Sequence, residues 1–141
     1  MDVKTAILVD GSFFVRRVNF FHNKYFSKQS NLTGQQLVDI LMGHLRKHLS
    51  SRSHHDKFIH HLYRMFYYDC EPLDLSIHYP VPHEGESRCR MVNFAKLPEN
   101  QNRLEFLSLL KKQRKVALRL GHMKHHKTCL LYTSPSPRDR G

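Results

Sequence analysis

The run TAILVD, from Thr5 to Asp10, passing directly into Gly11 and Ser12, decides the fold class. Its length and its Ile7, Leu8 and Val9 content predict a short strand buried on both faces, as in a parallel sheet. After it, Ser12 is placed to cap a helix in which Phe13, Phe14, Val18 and Phe21 recur at three-to-four spacing. Arg16, Arg17 and Lys24 fall on or near the polar side of that helix. Asn31 to Gly34 is a break. Thr33 and Gln36 then form the two halves of a capping box, and Leu37, Leu41, Leu45 and Leu49 mark the stripe of a second helix.

Working outward, Ser50 to Asp56 reads as a polar linker. LYRMFYY, from Leu62 to Tyr68, is aromatic and β-rich, and it ends in Asp69, Cys70, Glu71 and Pro72. Glu71 to Pro98 carries Pro72, Pro80, Pro82 and Pro98 with little periodicity, which predicts a long irregular connection. Pro98 and Glu99 open a third helix on Leu104, Leu107 and Leu110. Val116 to Leu120 (VALRL) reads as a strand closed by Gly121. Helices set between buried strands predict an open, largely parallel α/β sheet.

Composition narrows the function. Lys and Arg number 23 against 12 Asp and Glu, a net charge of +11, which favours a polyanionic partner, nucleic acid before anionic membrane. The alternative is a solvated basic surface with no such partner. The longest clean apolar run, Ala6 to Val9, is strand-sized, so no membrane span is expected. The amino terminus has neither a basic region nor a longer apolar segment, so no secretory signal is expected. Cys70, Cys89 and Cys129 form no CxxC and leave one over, which predicts a reducing, cytoplasmic setting. The 12 histidines include His44 and His48 at i, i+4, but no HExxH accompanies them, and surface histidines are the expectation. The chain has no GxGxxG after the first strand, no GxxxxGK[ST] and no GxSxG, which excludes dinucleotide, P-loop and hydrolase-elbow readings.

Chemistry is expected beyond the carboxyl ends of the strands. Asp10 and Asp69 both stand at such ends. Converging carboxylates of this kind suit Mg²⁺ or Mn²⁺, which take hard oxygen ligands and keep open positions for water and phosphate. Gly11 leaves room for a phosphate near the helix start. Against this, Asp-Gly is also a favoured turn and cap pair. The aromatic clusters Phe13–Phe14, Phe20–Phe21 and Phe66–Tyr68 are of a type that stacks bases, although their periodicity assigns most of them to the core.

Three blocks, ILVDGSFFVRR (Ile7 to Arg17), LYRMFYYDCEPL (Leu62 to Leu73) and KVALRLGHM (Lys115 to Met123), resemble the NYN-domain family, PIN-like proteins related to the bacterial LabA group. The resemblance implies a Rossmann-like, PIN-type open parallel sheet flanked by helices, and metal-dependent ribonuclease activity with Mg²⁺ or Mn²⁺. It places a metal-holding, catalytic aspartate at Asp10 and a second metal position at Asp69. Phosphate contacts to RNA are expected, from charge, at Arg16, Arg17 and Lys24, with Ser12 beside them at the helix start. Where many NYN domains carry asparagine three residues after the first aspartate, this chain has Phe13. The family's later acidic segments have no counterpart here. A non-catalytic RNA-binding or interaction module is the competing expectation.

CLLYTSPSPRD, from Cys129 to Asp139, matches codon for codon one reading frame of a sequencing-library transposase adapter. Residues 129–141 are therefore expected to be a non-native tail. Residues 1–128 are expected to be the N-terminal part of the domain, truncated before its C-terminal strands and inactive by itself. Without Arg138, Asp139 and Arg140 the net charge falls by one, from +11 to +10, so the domain stays strongly basic.

Overall fold

The computed structural model describes residues 2–26, 31–50, 59–79 and 81–124; the tail from Cys129 and linker positions 51–56 lie outside the described residues. Strand β1 (Asp2–Asp10) leads into helix α1 (Gly11–Tyr25) and helix α2 (Gly34–Ser50). Strand β2 (Ile59–Cys70) follows, then two short strands, β3 (Ser76–His78) and β4 (Met91–Asn93). A 3₁₀ turn (Phe94–Lys96), helix α3 (Pro98–Lys111) and strand β5 (Val116–Gly121) complete the order. The mixed α/β class expected from the sequence holds.

The main sheet has three parallel strands in the order β1-β2-β5, so the aromatic strand β2 is central. Its inward side chains, Met65 and Tyr67, are fully buried. They meet Phe14 of α1, Leu37, Val38, Leu41 and Leu45 of α2, and Phe106, Leu107 and Leu110 of α3. Fully burying a side chain of this size contributes roughly 1.5–3 kcal/mol, so this one cluster carries most of the hydrophobic stabilisation. The Phe14 and Phe106 rings stack at 6.2 Å between centroids, and Tyr67 meets Phe106 edge-on at 5.6 Å.

All three helices pack on one face. Ile7 and Val9 of β1, and Val116, Leu118 and Leu120 of β5, join the same cluster from the sheet side. Alternation along a strand sends the intervening residues to the opposite face, where Leu8 is 67% exposed. The expectation that TAILVD is buried on both faces is therefore corrected, because nothing among the described residues covers the second one. The phase of β2 shifts between its ends, where a bulge opposite Thr5 and Ala6 inserts one extra residue.

Local signals explain the helix ends. Thr33 and Gln36 close the capping box as expected: Gln36 N–H donates to Thr33 Oγ1 at 3.2 Å and Thr33 N–H donates to Gln36 Oε1 at 2.9 Å. Pro98 occupies the first turn of α3, where its missing N–H costs no helical bond. The cap of α1 differs from the expectation. Asp10 fills that position rather than Ser12, its Oδ1 accepting from Phe13 N–H at 3.0 Å, so the helix begins at Gly11. The long connection is also less irregular than expected, since β3 and β4 pair antiparallel within it.

Candidate functional site

Asp10 and Asp69 stand at the same carboxyl edge of the sheet, on adjacent parallel strands. Asp10 lies opposite Tyr68, one residue before Asp69. Their surroundings differ. Asp10 is exposed, and apart from the cap bond its carboxylate has no hydrogen-bond partner among the described residues. The side chain of Asp69 is only 1% exposed and is paired with the Arg103 guanidinium. Its Oδ1 also accepts from Cys70 N–H at 2.8 Å, and its Oδ2 from the Tyr67 hydroxyl at 3.4 Å.

Tyr67 donates to Asp69 and is within electrostatic reach of both aspartates. Burial of the phenol, followed by the negative charge of Asp69, pushes its pKa well above the ordinary 10.0, with Asp10 adding a smaller push in the same direction. The hydroxyl is therefore a neutral donor at physiological pH. Gly11 lies against this ring: a Cβ there would come within 2.5 Å of the Tyr67 ring carbons. The glycine of the Asp-Gly pair serves close packing of α1 on β2, where the sequence suggested room for phosphate.

Sequence reasoning missed Tyr67 and Arg103. The first carries a period-two signal in LYRMFYY that places it inward. Arg103 carries none, being one of several polar residues on α3. Its Nε is buried without a hydrogen-bond partner among the described residues. Beside it runs a cleft between α1 and α3 whose lining mixes Arg16, Asn19, Asn102 and Arg103 with Val15 and Phe106.

The basic residues expected to meet RNA, Arg16, Arg17 and Lys24, are exposed on α1, as is Ser12. Arg17 lies over the Phe20 and Phe21 rings at 5.2 and 4.8 Å from their centroids, and Lys24 lies 5.2 Å from that of Tyr25. Phe13, Phe20 and Phe21 are exposed, against the expectation that periodicity assigns them to the core; only Phe14 of this group turns inward.

Do these residues fit a divalent metal? Asp10 offers an accessible hard oxygen at a strand end, which suits one ligand position. Asp69 is already neutralised by a guanidinium, whose charge opposes an approaching cation. Among the described residues, no group of three or more His, Cys, Asp or Glu is placed to hold an ion. The described donors fit one coordination position and not a complete site.

Comparisons with protein-family models, with curated proteins and with solved structures returned no match.

Proposed function

We propose that the full-length protein acts on RNA as a metal-dependent ribonuclease of the NYN, PIN-like type, with Asp10 as a metal-holding carboxylate. The supporting observation is the exposed Asp10 carboxylate at the carboxyl edge of a parallel sheet, beside the cationic first turns of α1. The three sequence blocks that resemble the family fall on β1 with α1, on β2, and on β5. Asp10 would give such an ion one oxygen ligand, and Mg²⁺ or Mn²⁺ held there would supply activated water and charge neutralisation at the phosphodiester. The chain's own contributions are separate: Arg16 and Arg17 attract the phosphate backbone, and the neutral Tyr67 holds Asp69 in place beside Arg103.

A second reading has its own support. Asp10 already serves as a helix cap, and the Asp69–Arg103 pair needs no metal to explain it. Both facts suit an RNA-binding module without catalysis. The deciding experiment is a cleavage assay on the full-length protein with single-stranded RNA, with Mg²⁺ or Mn²⁺ and with EDTA. Cleavage that requires the metal supports the ribonuclease. Binding without cleavage under every metal condition supports the module.

A further inference from the structure

We propose that the cleft between α1 and α3 is a base-reading subsite that takes one adenine nucleotide of single-stranded RNA. This rests on RNA being the ligand, and it assigns base choice to residues other than the basic side chains of α1.

The cleft gathers carboxamides. The chain has six asparagines, and five of them, Asn19, Asn23, Asn31, Asn100 and Asn102, line this one cleft. Asn19 and Asn23 stand one turn apart on α1, and Asn102 lies on the α3 wall. Asparagine is a poor helix former, because its side chain competes for backbone hydrogen bonds, so placing three inside helices costs stability. Asn100 has a local use, its Nδ2 donating to Phe94 O at 2.6 Å. The carboxamides of Asn19, Asn23 and Asn102 have no hydrogen-bond partner among the described residues. Arg16 and Arg103 border the same cleft, Glu99 is the one acid among its described lining residues, and Val15, Leu37 and Phe106 supply an apolar floor.

Size and position select the occupant. The cleft holds about 340 Å³, enough for a small ligand but too little for a helix about 10 Å across. In a sheet flanked by helices, further strands of the domain extend the sheet edges. Further helices cover the face that bears the exposed Leu8. The cleft belongs to the opposite face, already covered by α1 and α3, and stays outside that addition. A second copy would bring a charge of +11 against +11.

The lining then selects the base. A carboxamide offers a donor beside an acceptor, the pattern that pairs bidentate with N6 and N7 of adenine. Glu99 can accept from the same exocyclic amine, which uracil lacks. Cytosine would engage Glu99 but has no N7 for the carboxamides. Guanine calls for a guanidinium, and that of Arg103 is held by Asp69. In duplex RNA this base edge lies in a deep, narrow groove, so only a single strand presents it. Asp10 caps α1 and Arg16 follows six residues later, about 9 Å down the helix. A base in the cleft would therefore leave its adjoining phosphate between Arg16 and the carboxyl edge.

The test is equilibrium binding of fluorescein-labelled oligoadenylate, oligouridylate and oligocytidylate to the full chain in EDTA, where cleavage has no part. The parent is expected to prefer oligoadenylate by roughly tenfold, the scale of one bidentate pair. Asn19→Ala and Asn102→Ala together should abolish that preference by lowering oligoadenylate affinity alone. Both changes improve helix propensity, so the variant should melt at or above the parent, which separates lost binding from lost folding. Arg16→Ala should instead weaken all three oligomers alike and lower the salt dependence by about one counterion. Equal affinity of the parent for the three, or a preference that survives the asparagine changes, would overturn the subsite while leaving RNA as the ligand. A preference for oligocytidylate or oligouridylate would also overturn it. Failure to bind any RNA would remove the subsite and the functional reading together, whereas an asparagine-dependent preference without metal-dependent cleavage would remove only the ribonuclease.

Discussion

The Arg103 guanidinium closes on the Asp69 carboxylate across 34 residues of sequence, tying α3 to the end of the central strand. Since the Asp69 side chain is almost wholly buried, the pair places a charge in the protein interior that needs its partner.

Arg103→Ala is therefore expected to destabilise the fold by about 3–5 kcal/mol, the cost of leaving a buried charge uncompensated. Asp69→Asn should cost less, because the amide still accepts from Cys70 N–H while Arg103 retains partial access to solvent. Urea denaturation of the two variants gives the order. Asp69→Asn as the more damaging change would place the chief role of Asp69 elsewhere than in this pair.

Two glycines in helices separate packing from propensity. Gly11→Ala drives a methyl into the buried Tyr67 ring, which Phe106 holds edge-on, and should cost roughly 1–3 kcal/mol. Gly43→Ala, in the interior of α2 with nothing within 4 Å of its Cβ, should stabilise by about 0.5–1 kcal/mol. Thermal melting of both variants should therefore shift in opposite directions.

The raised pKa of Tyr67 makes stability depend on alkaline pH. Unfolded, the phenol loses its proton near its ordinary value of 10.0; folded, burial and Asp69 hold the proton to higher pH. The unfolded state thus binds fewer protons above that value. The contribution is fully present below pH 10 and is lost as pH rises towards the folded value. Lysines titrate in the same range, so the reading is the difference from Tyr67→Phe, whose stability should fall less steeply. Identical alkaline profiles would mean that the phenol is freer than its surroundings imply.

Much of the fold is legible in short stretches of the sequence. The Thr33–Gln36 box and the Leu37, Leu41 and Leu45 stripe need only local hydrogen bonding and helical period, and Pro98 announces α3. One-sided burial of β1 is not legible, because Ala6 and Leu8 on the open face are as apolar as Ile7 and Val9 on the covered one. Alternation then carries no phase. Phe13 and Phe21 misled for the related reason that α1 is aromatic on more than the side it buries. In the candidate site, the strand-end aspartates can be read from sequence. What distinguishes them cannot, since the partner of Asp69 comes from a distant helix whose residues show no pattern pointing to it.

Asp10→Asn tests the central claim most directly, because asparagine caps a helix about as well as aspartate and so removes charge while keeping the fold. The measurement is cleavage of single-stranded RNA in Mn²⁺ by the full-length protein and by this variant, with RNA affinity and melting temperature taken on the same preparations. The variant is expected to keep both affinity and melting temperature while its cleavage falls by roughly two orders of magnitude, the scale of losing one electrostatic contact to a transition state. Parental cleavage by Asp10→Asn would contradict the assignment of Asp10 and with it the proposed mechanism.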